Sequence, residues 1–395
     1  MVRSLISATL VVLYFSVPQE QLLPTVERYH DAVSIDEVPV SSQEMELMDA
    51  VTSAFVSTGK APPQYDPNIT LACKQLCRVL DCTDIDAVQA WEPQTIQFTL
   101  RAFGITDSFY FPVIARVEDP GEAEQLLVDL VSNELQSLGV NRFGLALDLE
   151  DRRMFAAVFT RRLVQLGPFP KQVEPGTTHL LWGGLAEGVR NPVFILAMPG
   201  DATLQTTPRV SKGLIWNQVY FPEEPGEYIV ELLVQQDGPQ VASLFPVYVG
   251  MTPPRYPVFK MYPGIEETSD PTEVETQVLA LLNRERAKRQ LPECTLNEKL
   301  ARSSRAYSRT MARQGRLSHV LARGDDGLLE YTENISLSTS VHAAHANLMA
   351  SPSHRRNIID ADARFCGVGV AAVDKGDSGT LLYITQRFSP LSRVR

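Results

Sequence analysis

The last third of the chain begins with a helical spacing of apolar residues. Val274, Val278, Leu281 and Leu282 recur every three or four positions after Asp270, which predicts an amphipathic helix with one buried face. Asp270 can accept hydrogen bonds from the first backbone N–H groups, and proline suits the position that follows it. The pattern therefore predicts that a C-terminal domain opens with this helix.

Other stretches alternate short apolar runs with turn signals. Residues 365–370 and 382–388 are apolar and glycine-containing, which predicts two buried strands. Between residues 174 and 250 the runs are shorter, and those at 228–234 and 241–249 flank Asp237, Gly238 and Pro239 as a hairpin would. The middle of the chain is predicted to be an antiparallel β-sandwich of immunoglobulin-like size.

These patterns give a multidomain α+β protein with five segments. We predict a leader at residues 1–17, a first domain at 41–170, the β-sandwich at 172–250, a proline-rich linker at 251–271 and a last domain at 272–390. A chain of 395 residues is long enough to give each domain its own core.

The leader prediction comes from Arg3 followed by an apolar run from Leu5 to Val17. The run is too short to span a bilayer and has the form of a secretory signal. The alternative is a buried N-terminal strand. No later segment has the length and hydropathy of a transmembrane helix, so we expect a secreted, periplasmic or envelope protein.

The first and last domains share an order of short motifs, which predicts a divergent internal duplication. The matched segments are 66–69 with 297–300, 142–147 with 365–370, and 157–163 with 383–388. The first copy contains no histidine between His30 and His179. We expect it to act as a scaffold and not as a second site.

Charge is unevenly distributed along the chain. The formal net charge is −11, yet residues 276–395 hold 18 Lys and Arg against 11 Asp and Glu. This basic segment could dock on its own acidic neighbours or meet an anionic polymer or lipid outside the cell. Its arginines at 302, 305, 309, 313 and 316 follow helical spacing without aromatic interleaving, so a nucleic-acid surface is not indicated.

The chain has five cysteines, an odd number. Cys294 precedes a predicted helix and Cys366 opens a predicted strand, so an intradomain disulfide between them is a hypothesis for an exported protein. Cys73, Cys77 and Cys82 have no histidine nearby and are interpreted as small buried residues, not as a zinc site.

Three polar motifs precede the two predicted C-terminal strands. They are Ser318-His319, Glu333-Asn334-Ile335 and the run from Ser351 to Asn357, which contains Ser353 and His354. Their spacings are too long and irregular for one helix face, so only the fold can bring two imidazoles and a carboxylate together.

With the two buried strands, this set resembles the bacterial branch of the CAP superfamily, which includes cysteine-rich secretory proteins, antigen 5 and plant pathogenesis-related proteins. The resemblance covers Glu273 to Phe388 and implies a secreted α-β-α sandwich with a polar surface cleft. It assigns His319 and His354 as the cleft histidines and Glu333 as the first glutamate. Ser351 stands where the family has a second glutamate. Supporting roles fall to Ser318, Asn334, Ser351, Ser353 and Asn357, and the first domain becomes a divergent CAP-like copy.

Three functions follow from this resemblance. The leading one is binding of an extracellular or envelope ligand, such as a lipid, an anionic polymer or a protein, without catalysis. The second is a metal-dependent hydrolase of peptide or envelope polymer, with zinc held by His319, Glu333 and His354. The third is a structural envelope protein with a vestigial cleft.

The residues leave two further alternatives open. Glu333 could accept a hydrogen bond from an imidazole within a polar network that binds no metal. His342 and His345, three positions apart on a predicted helix, could turn toward His319 and replace the absent glutamate, or could simply be packed or exposed.

Overall fold

The computed structural model describes residues 25–80, 85–256, 262–266, 268–320, 331–374 and 380–390. The predicted leader at 1–17 and Cys82 lie outside these ranges. Of the helices that the ranges contain, none combines the length and hydropathy needed to cross a membrane. The protein is a mixed α/β chain with several sheets.

The N-terminal unit, residues 42–160, has helices on a four-stranded sheet. It follows a short strand, β1 (Arg28–Tyr29), that belongs to the next unit. Its elements in order are α1 (Ser42–Ser57), β2 (Gln64–Tyr65), α2 (Pro67–Val79), α3 (Ile85–Ala102), β3 (Tyr110–Arg116), α4 (Pro120–Leu130), α5 (Gln136–Leu138), β4 (Arg142–Asp148) and β5 (Met154–Thr160). The sheet order is β2-β4-β5-β3.

The middle unit, residues 164–249, has a five-stranded and a four-stranded sheet that share one apolar core, and its strand at 169–170 pairs with β1 in a separate two-stranded sheet. Its strands are β6 (Val164–Leu166), β7 (Phe169–Pro170), β8 (Gln172–Val173), β9 (Thr178–Leu185), β10 (Arg190–Ala197), β11 (Thr203–Thr206), β12 (Arg209–Ser211), β13 (Leu214–Tyr220), β14 (Gly226–Gln235) and β15 (Pro239–Val249). The predicted hairpin is confirmed, because β14 pairs antiparallel with β15. Tyr29 and the segment 163–169 belong to this core, so it begins earlier in the chain than the predicted boundary at 172.

The C-terminal unit, residues 271–390, again places helices on a four-stranded sheet. Its elements are α6 (Pro271–Lys288), β16 (Thr295–Leu296), α7 (Glu298–Gln314), β17 (Thr332–Ser338), α8 (Val341–Ala350), α9 (Pro352–Ile358), β18 (Ala363–Asp374) and β19 (Thr380–Pro390). The predicted cap is confirmed: the Asp270 carboxylate accepts from the backbone N–H groups of Thr272 and Glu273 at 2.9 and 3.0 Å. The sheet order is β16-β18-β19-β17.

The two outer units share strand order and direction. In each sheet a two-residue edge strand (β2 or β16) pairs parallel with a long strand (β4 or β18). The remaining two strands of the sheet (β5 and β3, or β19 and β17) then pair antiparallel, each with the strand before it in the sheet order. Gly144 and Gly367 occupy matching places. A Cβ at Gly144 would lie 2.4 Å from the backbone of α2, and a Cβ at Gly367 would lie 2.2 Å from the backbone of α7. The predicted match of 157–163 with 383–388 is displaced by three residues, because the pairing register sets Met154 opposite Asp148 where Tyr383 lies opposite Ala371.

The middle and C-terminal units are joined by ion pairs. The Asp201 carboxylate forms ion pairs with Arg289 Nε at 2.5 Å and with Arg355 Nη1 at 3.5 Å. The Asp237 carboxylate pairs with Arg316 Nη2 at 3.4 Å. Arg289 holds the pKa of Asp201 below its usual value. Of the two interpretations of the uneven charge, this arrangement matches a basic segment that docks on its own acidic neighbour.

Candidate functional site

Glu333 is held by a buried arginine on the adjacent strand. In the register of β17 and β19, Glu333 lies directly opposite Arg387. The Arg387 Nε donates to Glu333 Oε2 at 2.9 Å, and the arginine side chain is 1% exposed. Its guanidinium carbon lies 4.4 Å from the ring centroid of Tyr331 and 5.1 Å from that of Tyr307. The pair is therefore desolvated, and each charge stabilises the other.

The second oxygen of Glu333 contacts the first cleft histidine. His319 Nδ1 lies 3.0 Å from Glu333 Oε1. An ionised carboxylate can only accept, so Nδ1 carries a proton and donates. Ser318, predicted to support the site, is a buried turn residue: its carbonyl accepts from Tyr307 Oη at 2.7 Å, and its hydroxyl accepts from the backbone N–H of Val320 at 3.3 Å.

The second cleft histidine, His354, lies on α9 and contacts Ser351. Its Nδ1 is 2.8 Å from Ser351 Oγ. Burial, and then the charge of nearby His319, lowers the pKa of His354 to about 3. The imidazole is therefore neutral at physiological pH.

Two asparagines connect the strand of Glu333 to the helix of His354. The Asn334 amide donates to the His354 carbonyl at 3.0 Å and to Gln386 Oε1 at 3.1 Å. Asn357 donates to Asn334 Oδ1 at 2.8 Å. The structure thus joins His319 directly to Glu333 and brings His354 near His319 through a fixed polar network.

The residues do not fit a metal centre well. Within the described ranges, no group of three or more His, Cys, Asp or Glu side chains is placed to hold an ion. Both Glu333 oxygens already accept hydrogen bonds, from His319 and from Arg387. Zinc at His319, Glu333 and His354 stays a prediction that this geometry does not favour.

Sequence reasoning missed two charged residues of the site, Arg387 and Glu231. Glu231 comes from β14 of the middle unit and is fully buried. It accepts from the Ser351 hydroxyl, from the Ser353 backbone N–H at 2.9 Å and from the Ser353 hydroxyl at 3.0 Å. The sequence did contain a signal for Glu231: it is a single charged residue among the apolar residues of its strand, and a buried charge must be paired.

His342 and His345 do not turn toward His319. Their rings contact Tyr262, with ring centroids 5.8 and 4.9 Å from it. His342 Nδ1 accepts from the Tyr262 backbone N–H at 3.3 Å. His345 is 1% exposed, and among the described residues neither of its ring nitrogens has a hydrogen-bond partner. They do not replace the absent glutamate.

We expect His345→Leu to raise the stability of the C-terminal unit by about 1 kcal/mol, because it removes buried polar atoms without partners.

Burial lowers the pKa of His345 to about 4. As the pH falls, His345 of the unfolded chain binds a proton before His345 of the folded chain does. The free energy of unfolding of the C-terminal unit therefore decreases as the pH falls from about 6.5 to about 4. Thermal melts across this interval should show a smaller acid shift in His345→Leu. His342→Leu is the matched control and should destabilise, since it leaves the Tyr262 N–H without its acceptor; stabilisation by both changes would contradict the assignment.

Cys294 and Cys366 are buried free thiols in contact with each other. The disulfide between them stays a prediction. Oxidised, unreduced protein should yield a peptide pair linked through these two residues in mass spectrometry, and alkylation of both thiols in that sample would reject the link. Cys73 and Cys77 are buried, as predicted, and donate to the carbonyls of Gly144 and Ala146 at 3.4 and 3.9 Å.

Comparison with known proteins identifies the C-terminal unit. Residues 279–388 match the Cysteine-rich secretory protein family, CAP. No curated protein matches the chain. Solved structures with similarity include an outer surface protein of Borrelia burgdorferi, with 14% identity over 32% of this chain and 98% of that one and a TM-score of 0.27. An extracellular SCP-domain protein of Bacillus anthracis has 15% identity over 56% of this chain and 89% of that one, with a TM-score of 0.25. A cysteine-rich secretory protein of Staphylococcus aureus has 12% identity over 53% of this chain and 76% of that one, with a TM-score of 0.23.

Proposed function

This chain carries a C-terminal CAP domain at residues 279–388, and we propose that the domain binds an extracellular or envelope ligand in the cleft of His319, Glu333 and His354. The observation that carries the proposal is the network itself. It holds partly exposed imidazoles in fixed positions by buried partners, which is how a preorganised binding site is built.

Binding is favoured over hydrolysis because the possible catalytic groups are engaged by the protein. Glu333 accepts from Arg387 and His319 with its two oxygens, so action as a general base would have to compete with both hydrogen bonds. The Ser318 hydroxyl is used in its own turn, and the Ser351 and Ser353 hydroxyls donate to Glu231.

The ligand class that we favour is a neutral polar group, such as an uncharged lipid head group. The imidazole of His354 is neutral, and the adjoining Asn334 and Asn357 are amides. An anionic polymer has less support than the charge count suggested, since Arg289, Arg355 and Arg316 already pair with carboxylates of the middle unit.

The other units would then have structural roles. We propose that the N-terminal unit is a divergent copy of the CAP fold and that the middle unit is an immunoglobulin-like β-sandwich. The shared strand order supports the first idea. Pro112 lies opposite Val158 at the place where Glu333 lies opposite Arg387, so this copy would have an apolar position in place of the ion pair and would serve as a scaffold.

Cosedimentation tests the proposal with full-length protein. The probes are phosphatidylcholine vesicles with and without galactosyl diacylglycerol, whose head group is neutral and rich in hydroxyls, and heparin as an anionic polymer. We expect the galactolipid vesicles to bind the protein, and His319→Ala to weaken that binding at least tenfold.

Arg309→Ala, on the exposed face of α7, is the control and should bind the galactolipid vesicles as the wild type does. Equal binding by the wild type and His319→Ala would contradict a cleft ligand. Binding of heparin alone, lost in Arg309→Ala, would point instead to the basic helix face.

A further inference from the structure

The cleft of the CAP domain is completed by a carboxylate from another unit of the chain. We propose that Glu231 of the middle unit, acting through Ser351, is a positioning residue that fixes the protonation pattern of His354 and thereby selects ligands that donate a hydrogen bond. This inference deepens the proposed function and rests on it for the ligand, although its test is made without ligand.

The contacts form a continuous chain across the boundary between the two units. The Ser351 hydroxyl donates to Glu231 Oε1, and the same oxygen atom of Ser351 lies 2.8 Å from His354 Nδ1. It also lies 3.4 Å from the His354 backbone nitrogen, as an N-cap does. Glu231 thus reaches the imidazole through one intervening hydroxyl group.

The order of donors along this chain follows from the carboxylate. An ionised carboxylate only accepts, and a serine has one hydroxyl hydrogen. Because Ser351 gives that hydrogen to Glu231, its oxygen must accept from His354, so Nδ1 carries the ring proton. In a neutral imidazole the lone pair then belongs to Nε2.

The surroundings of Glu231 act on its carboxylate in two opposite ways, and the hydrogen-bond geometry, with Ser351 as donor, carries the arrangement. Burial raises the pKa of Glu231, and hydrogen bonds from Ser351 and Ser353 and the charge of Arg356 oppose that rise. Arg355 is the other charged group that acts on this carboxylate. Arg355 is itself held by Asp201 of the middle unit at 3.5 Å, so the carboxylate and the cation next to it are fixed by the same docked surface.

The consequence concerns specificity. A neutral imidazole with its lone pair on Nε2 accepts from a hydroxyl or an amide N–H and offers no donor at that atom to a carboxylate or phosphate. The middle unit would therefore contribute to ligand choice by setting one proton in the neighbouring domain.

The test reads the tautomer of His354 in full-length, ligand-free protein at neutral pH. Long-range proton–nitrogen correlation of ¹⁵N-histidine protein distinguishes the two ring nitrogens, and His354→Gln assigns the signal among the six histidines. We expect one Nδ1–H form in the wild type. Ser351→Ala should lower the preference for that form about tenfold, the factor typical of one hydrogen bond.

Matched variants distinguish an effect through the Glu231–Ser351–His354 hydrogen bonds from a general destabilisation of the site. Ser353→Ala removes a hydroxyl donor from Glu231 and a contact with Ser351 Oγ at 3.2 Å, but it leaves the hydrogen bonds of Ser351 to Glu231 and to the His354 ring, so the tautomer should stay unchanged. Ser351→Thr keeps the hydroxyl and the N-cap and should preserve it. Glu231→Gln leaves Ser351 in place but puts an amide N–H donor where three donors converge on the carboxylate. Although it changes only the middle unit, it should weaken the preference of His354 for the Nδ1–H form.

Two results would overturn the inference: an Nε2–H form in the wild type, or an Nδ1–H form that persists in both Ser351→Ala and Glu231→Gln. Because no ligand is present, either result leaves the vesicle-binding test of the cleft independent. Loss of vesicle binding with an intact tautomer response would reject the ligand proposal alone.

Discussion

Arg387→Met is expected to lower the free energy of unfolding of the C-terminal unit by about 3–5 kcal/mol. The substitution keeps an unbranched side chain between Tyr307 and Tyr331 but leaves the Glu333 carboxylate buried without its cation. Removing one partner of a buried pair costs more than the pair contributes, because the remaining charge has lost both its solvent and its counterion. The hydrogen bond between His319 and Glu333 would remain.

Hydrogen exchange of peptides from β17 and β19 is the appropriate measurement. The three tryptophans, Trp91, Trp182 and Trp216, lie outside the C-terminal unit, so fluorescence would report on other parts of this multidomain chain. Arg153→Met removes an exposed pair with Glu118 and should change stability by less than about 1 kcal/mol. The double variant Glu333→Gln with Arg387→Met should recover part of the loss. Equal effects of Arg387→Met and Arg153→Met would show that the pair is not desolvated.

Gly367→Ala is expected to destabilise the C-terminal unit by about 3 kcal/mol, the upper part of the range for overpacking. A Cβ at this position would lie 2.2 Å from the carbonyl carbon of Leu300 and 2.3 Å from the Ala301 nitrogen. Both atoms belong to the backbone of α7, so the whole helix must move away from the sheet. Loss of exchange protection in α7 and β18 measures the effect.

Gly144→Ala should have a similar effect on the N-terminal unit, since its Cβ would lie 2.4 Å from the Thr70 nitrogen of α2. Gly184→Ala is the control in the middle unit. Its Cβ would meet nothing nearer than Leu214 Cδ2 at 3.9 Å, and we expect a change within about 0.5 kcal/mol. A large loss for Gly367→Ala with none for Gly144→Ala would contradict the equivalence of the two positions.

Local signals in the sequence were sufficient to predict several elements of the fold. The cap at Asp270, the hairpin of β14 with β15 and the strands β18 and β19 each depend on residues close together in the chain. Such patterns can be read without knowing the tertiary arrangement. The start of the middle unit could not, because β1, which pairs with β7, lies before the N-terminal unit in the chain, and β6 has only three residues.

The candidate site was predictable only in part for the same reason. His319, Glu333 and His354 stand in short motifs, and the order of those motifs was informative. Glu231 is 120 residues from Ser351 along the chain, and only packing between two units brings them together. Spacing within a motif carries no information about a partner that a different domain supplies.

The docked surface between the middle and C-terminal units has a practical consequence for fragment studies. A shortened chain that starts between residues 251 and 270 would contain the whole family match but neither Asp201 nor Glu231. Arg355 and Arg289 would lose Asp201, although Arg289 would keep its pair with Glu285, and the hydroxyls of Ser351 and Ser353 would lose Glu231. The surface beside the cleft would then be exposed and more cationic. Ligand screens on that fragment would select acids for this exposed face, so the smallest reagent that represents the native cleft includes the middle unit.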